Sequence, residues 1–144
     1  MDDKAIDVEL AIWDLAQPPW ERADPIWSLP AYRLSRYALD VVRADLGADT
    51  GIIGPGTRDQ LLRVVASISA NISEGYSRPT VRERGRFYTF ALGSTREAIS
   101  WYASLDDRLP PGTAVARVAV LSRIRRLLLG LVQRALNARR FPQG

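Results

Sequence analysis

TVRERGRFYTFALGSTREAISWYASL, residues Thr80–Leu105, is the stretch whose reading decides the fold. Thr80 is placed to cap a helix, and Glu83 three residues on completes a capping box. Phe87, Ala91, Ser94, Ala98, Trp101 and Leu105 then recur in alternating steps of four and three, a heptad-like seam. The small side chains of Ala91, Ser94 and Ala98 would let a neighbouring helix approach closely. Gly93 lies inside the same helix, which costs about 1 kcal/mol relative to Ala unless close packing needs it. Pro110, Pro111 and Gly112 end the pattern.

Working outward, the preceding stripe is Leu61, Val65, Ile68 and Ile72, with Thr57 as its expected N-cap and Gly75 as its stop. Before it, Pro30 fits the first turn of a helix carrying Leu34, Ala38 and Val41 as far as Gly47. Gly47 to Gly56 reads as a loop. Downstream, Thr113 is the expected cap of a helix that continues towards Ala138, with Leu121, Ile124, Leu128, Leu131 and Ala135 as its main stripe. Leu127, Leu129, Val132 and Leu136 widen that apolar arc, so the helix calls for burial on two sides: a bundle core and another subunit. No strand pattern and no internal repeat competes. The expected fold is all-α, an up-and-down four-helix bundle over residues 30–140, followed by a tail at 141–144.

Residues 1–29 read as an irregular arm punctuated by Pro18, Pro19 and Pro25 and carrying Trp13, Trp20 and Trp27. Asp7 to Ala16 can form a short helix with Val8, Ile12 and Leu15 on one side. The arm would lie over its own domain or over a neighbouring subunit; a partly disordered tail is the alternative.

A chain of 144 residues is one domain by size. It has no cysteine, which removes disulfides, thiol nucleophiles and thiolate metal sites. It has no histidine, which removes the commonest general base and the commonest transition-metal ligand. The expectation is a non-enzymatic chain with no cofactor and no metal. Asp2 and Asp3 after Met1 do not suit a signal peptide, and no apolar run nears the roughly 20 residues that span a bilayer. A cytoplasmic chain without a membrane partner is therefore expected.

Charge is placed unevenly. From Thr113 onward there are seven arginines and no acid, while the first 25 residues hold seven acids against Lys4 and Arg22. Such asymmetry implies either an anionic partner for the basic end or internal pairing of the two ends.

The segment Gln60 to Arg78, QLLRVVASISANISEGYSR, resembles a signature stretch of the four-helix-bundle proteins encoded in 23S rRNA intervening sequences. Arg86-Phe87 and Ala91 to Glu97 are similar to that family's third helix. The resemblance spans roughly residues 30–138 and implies a left-handed up-down bundle assembled into a ring-like pentamer. It also implies kinship with the basic, nucleic-acid-binding accessory proteins of diversity-generating retroelements, whose partner is a reverse transcriptase. Two features depart from the family: the long acidic arm, and Val64 where the signature has a second arginine.

Two sets of candidate residues follow. Arg123, Arg126, Arg134 and Arg140 gather on the polar strip of the last helix and, with Arg78 and Arg86 at the turn, would contact the phosphates of RNA or DNA without reading sequence. The bland alternative is a solvated face partly neutralised by the acidic arm. Ser67, Asn71 and Glu74 share one helix face, and Ser94 with Glu97 the facing one; together they read as a structural polar network between helices. A ligand- or RNA-facing cluster is the alternative for these five, and no catalytic residue is assigned. Tyr76, Phe87, Tyr88 and Trp101 read as core. Asp106 and Asp107 read as a solvated helix end in preference to a divalent-ion site. The expected function is a homo-oligomeric scaffold binding nucleic acid through arginine-rich surfaces. A protein-interaction accessory subunit of a reverse transcriptase or other RNA-processing enzyme stands second.

Overall fold

Prolines and aspartates set most of the helix boundaries in the computed structural model, which describes residues 1–49 and 51–140. The side chains of Arg139 and Arg140 and the expected tail at 141–144 lie outside the described residues. The elements are α1 (Asp3–Leu15), α2 (Pro19–Arg22), a 3-10 turn (Pro25–Ser28), α3 (Pro30–Ala48), α4 (Pro55–Tyr76), α5 (Val81–Ser104) and α6 (Thr113–Arg140). No strand occurs among the described residues, and none of their helices is long and apolar enough to cross a membrane.

Helices α3 to α6 form the bundle. Each packs on its neighbour in the chain, and α6 returns to α3, so the four surround one core. Leu34, Val42, Leu61, Val65, Ile68, Ile72, Leu121, Ile124 and Leu128 are all but sealed from solvent. Each such side chain contributes about 1.5–3 kcal/mol through removal of apolar surface from water. On α5 the buried face is Tyr88, Ala91, Leu92, Thr95, Ala98 and Tyr102. Phe87 and Trp101 flank it and are half-buried, while Tyr76 is exposed. Val64, the departure from the signature, is a core residue.

Three expected helix boundaries are corrected. Helix α4 begins at Pro55 rather than at a Thr57 cap, because proline needs no amide partner in the first turn and Gly54 supplies the first acceptor carbonyl. Thr113 lies inside α6; the carbonyl of Gly112 accepts the first helical bond, from Ala116 (3.1 Å), and Gly112 itself has φ +83°. Gly75 does not stop α4, which runs on to Tyr76. A Cβ on Gly75 would lie 2.9 Å from the Tyr88 ring, so glycine is required there by the close approach of α5. The Thr80 cap is as read: its hydroxyl accepts from the Glu83 amide (3.2 Å) and donates to the Glu83 carboxylate (2.6 Å).

The N-terminal arm is more regular than its prolines imply. Asp2 caps α1 by accepting from the Ala5 amide (2.8 Å). Ile6 is buried against the bundle, with Leu10 and Trp13 beside it. Trp13 stacks on Trp27 with centroids 5.7 Å apart and donates to Asp40 (2.9 Å), and Trp27 donates to Asp14 (2.7 Å). The Tyr37 hydroxyl donates to Glu9. The arm therefore packs on its own subunit. Val8, Ile12 and Leu15, the stripe visible in the sequence, face away from the bundle.

Candidate nucleic-acid interface

Helix α1 lies along α6 and covers part of its basic strip. Arg123 pairs with Asp7 (2.6 Å) and donates to the Asp3 carbonyl (3.3 Å). Arg126 donates to both carboxylate oxygens of Asp3 (2.9 and 3.1 Å). The acidic start of the chain thus occupies two of the four arginines placed on that strip, through pairs open to solvent. Arg134, further along α6, is exposed beyond the reach of α1. Arg140 is the fourth, and its side chain lies outside the described residues.

The other cations gather where the α4–α5 turn meets the end of α6. Arg78 pairs with Glu74 one turn back and stands over the Phe87 ring, its guanidinium carbon 4.9 Å from the centroid. Arg84 folds back over the turn, donating to the carbonyls of Arg78 (2.8 Å) and Pro79 (3.2 Å). It ties down two carbonyls of the α4–α5 turn, a role the sequence did not announce. Burial raises the Tyr88 hydroxyl pKa; Arg84 pulls it down, Tyr76 up and Arg134 down, with the net direction upward. Arg84 and Arg134 thus both bring positive charge to bear on the same buried tyrosine.

Arg86 leaves α5 on the opposite side from Arg84. It stands over Phe90, 5.5 Å from the ring centroid, at the rim of a groove between the start of α5 and the end of α6. That groove holds about 700 Å³. It forms because Gly85 and Ala135 bring the two helices close: a Cβ on Gly85 would stand 2.8 Å from that of Ala135. Small side chains at the crossing leave space above it.

The five residues expected as one polar network form separate pairs. Ser67 and Ser94 share a 2.7 Å hydrogen bond between α4 and α5, and Ser67 also donates to its own helix at Val64 (2.7 Å). Asn71 donates back to the Ser67 carbonyl (2.8 Å). Glu97 accepts from Gln60 (3.2 Å), and Glu74 is spent on Arg78. The serine pair ties the helices; the glutamates sit on exposed rims and join nothing to it.

The strongest polar cluster was not visible in the sequence. Arg117 holds Asp45 with two parallel bonds, Nε to Oδ2 at 2.8 Å and Nη2 to Oδ1 at 2.9 Å. Tyr102, fully buried, donates to the same Oδ2 (3.0 Å). The hydrogen bond from Arg117 to Asp45 outweighs desolvation and raises the arginine pKa. Burial first, then the Asp45 charge, pushes the Tyr102 hydroxyl far above its usual value. The partners come from α3, α5 and α6, so no local spacing could have joined them. At the same end of the bundle, Asp49 accepts from Arg58 (2.7 Å) and from the Gly51 and Ile53 amides. Desolvation acts to raise its pKa, but the Arg58 and backbone hydrogen bonds outweigh it and the net shift is downward. Asp106 and Asp107 are exposed beyond the end of α5, and no group of three metal-ligating side chains occurs among the described residues.

Residues 55–109, covering α4, the arginine-bearing turn and α5, match the family model described as 23S rRNA-intervening sequence protein. The match contains both stretches on which the resemblance was read, Gln60–Arg78 and Arg86–Glu97. No curated protein and no solved structure matches the chain.

Proposed function

Starting from a chain whose central hairpin carries the 23S rRNA-intervening sequence protein family match, we propose that it is a homo-oligomeric helical scaffold. It binds the phosphate backbone of RNA or DNA through the end of the bundle bearing Arg78, Arg84 and Arg134. One observation carries this reading: of these three arginines only Arg78 is met by an acid, Glu74. Helix α1 neutralises Arg123 and Arg126, but nothing comparable reaches Arg134, and Arg84 is held only by neutral carbonyls. Guanidinium groups fixed by carbonyls and rings keep their charge and are preorganised for phosphate. Repetition of this end around an oligomer would add up its field. Relative to the sequence reading, the interface keeps Arg78 and Arg134, loses Arg123 and Arg126 to α1, and gains Arg84. In the second reading, an accessory subunit for a reverse transcriptase, the acidic arm and its tryptophans would dock the partner. Trp13 and Trp27 are committed to the bundle, which leaves Trp20 exposed.

The test is fluorescence anisotropy with labelled single- and double-stranded RNA and DNA across a salt series. Affinity should fall linearly in log–log, with a slope of about −0.7 to −0.9 per neutralised phosphate. Arg84→Gln with Arg134→Gln should weaken binding to every sequence and reduce the slope by about 2 per subunit engaged. Arg123→Glu with Arg126→Glu should leave the slope unchanged. Absence of binding at low salt, or an undiminished slope in the first pair, refutes the assignment.

A further inference from the structure

We propose that the groove between α5 and α6 receives helix α1 of a second copy of this chain. The inference rests on the reading of the chain as self-assembling and names the surfaces that meet.

The ridge comes first. Val8, Ile12 and Leu15 fall within one narrow arc of α1, at helical spacing, and are 56, 67 and 75% exposed. The opposite face of α1 is fastened to the bundle by Ile6, by the Trp13–Trp27 stack and by the bonds from Trp13 to Asp40 and from Trp27 to Asp14. An apolar stripe held outward on a docked helix is a ready-made contact surface, with its ordering cost already met within the subunit.

The receiving surface is the groove described above. Its floor is the Gly85–Ala135 crossing, Val132 and Leu136 line the α6 side, and Arg82 and Arg86 stand at its mouth. Helical spacing extends it along α5 to Gly93, where a built Cβ would meet, among the described residues, no atom beyond its chain neighbours and the helix's own backbone within 4 Å. A helix pays about 1 kcal/mol for a glycine relative to alanine, and within one subunit nothing at Gly93 uses the space.

Charge selects the occupant. Residues 1–15 carry Asp2, Asp3, Asp7, Glu9 and Asp14 against Lys4; Asp3 and Asp7 are met by Arg126 and Arg123, whereas no cation among the described residues pairs with Asp2, Glu9 or Asp14. Two such helices placed face to face would repel, which disfavours pairing of α1 with α1. At the groove, Arg82 and Arg86 face the single Glu83, whose carboxylate already accepts from Thr80. An acidic helix with an apolar ridge suits that site. The chain's own α1 cannot fill it, because that helix packs on α3 and α6 with Asp3 and Asp7 tied to Arg126 and Arg123. Ridge and groove lie on different elements, so the contact is heterologous: every copy donates one helix and accepts another, the arrangement that builds rings when the rotation closes.

The experiment is mass measurement by light scattering on the full chain and on two variants, Ile12→Asp in the ridge and Leu136→Asp in the groove. Both positions are exposed within the subunit, so each variant should keep its helical circular dichroism; Ile12→Ser and Leu136→Ser repeat the test if either aspartate variant unfolds. The parent should be an oligomer, and each variant a monomer of 16.0 kDa. Mixed in equal amounts, the two variants should form a 1:1 complex of twice 16.0 kDa, because one retains an intact groove and the other an intact ridge. If Leu136→Asp assembles like the parent while Ile12→Asp does not, α1 pairs with something other than this groove and the inference is overturned. If both variants assemble like the parent, self-assembly stands and the inference falls. A monomeric parent removes self-assembly as well. The phosphate-binding face is judged separately by its salt titration.

Discussion

Asp45→Asn is the substitution that asks most of this structure. It removes the negative charge from the cluster that joins α3, α5 and α6 while keeping the side chain's shape. The Asp45 side chain is 11% exposed and that of Arg117 23%. Loss of one partner from a buried ion pair costs about 3–5 kcal/mol, chiefly because the other charge is left without compensation. Water can reach the partly exposed guanidinium, which places the effect at the lower end, about 3 kcal/mol. The Asn carbonyl oxygen can still accept from Tyr102, so that bond adds little to the loss. Against a typical domain stability of about 5–15 kcal/mol the change is large. With an unfolding entropy of about 2.1 cal/mol/K per residue, a chain of this length should lose roughly 10 °C in Tm. The assay is thermal unfolding followed by circular dichroism at fixed protomer concentration, since self-assembly, where it occurs, makes Tm concentration-dependent. Asp45→Asn with Arg117→Met removes the orphaned charge as well and should be more stable than Asp45→Asn alone, a coupling that a double-mutant cycle measures. A shift under about 3 °C for the single variant would mean that the pair contributes like an exposed one.

Two further outcomes follow from close contacts and from titration. Gly75→Ala should destabilise by about 1–3 kcal/mol through overpacking against Tyr88 and Phe87; helix propensity alone predicts a gain of about 1 kcal/mol, so the sign of the urea-midpoint shift decides. Tyr37 and Tyr102 have folded-state pKa values raised far above 10.0, both chiefly by burial. Their contribution is complete below the unfolded value of about 10 and is lost as pH rises beyond it, at about 1.4 kcal/mol per pH unit for each group. Urea midpoints from about pH 9.5 to 11.5 should therefore fall, and Tyr102→Phe should show the shallower decline; equal slopes would contradict the buried tyrosine–aspartate contact.

The parts of the fold that could be read from the sequence are those whose causes are local. Leu61, Val65, Ile68 and Ile72 follow one helical period, and Thr80 with Glu83 forms a cap within one turn; both stand as read. Gly75 was misjudged because glycine ends helices often, whereas here it admits the ring of Tyr88 from another helix. Thr57 yields its capping role to Pro55 for a local reason, the first-turn preference of proline, the same preference that starts α3 at Pro30. Tyr102, Asp45 and Arg117 were invisible as a group because 57 and 72 residues separate the aspartate from its two partners. The pairing of Glu74 with Arg78 lies within one helix turn and is legible in the sequence, whereas Glu97 meets Gln60 of another helix, a contact no local spacing announces.

The opposed charges of the chain's two ends posed a choice between an anionic partner and internal pairing, and the structure divides the arginines between them. Asp3 and Asp7 reach Arg126 and Arg123 because α1 lies along that part of α6. Those pairs are exposed and contribute about 0–1 kcal/mol each, so they do not hold α1 in place. Burial of Ile6 and the Trp13–Trp27 stack do that, at about 1.5–3 kcal/mol for the isoleucine alone. The ion pairs act instead on the surface field, cancelling positive charge along the middle of α6. What those two acids leave untouched includes the end that carries Arg134 and Arg84 together with the groove mouth at Arg82 and Arg86. Apolar contacts thus fix where the acidic helix sits, and its position fixes where an anion can still be attracted.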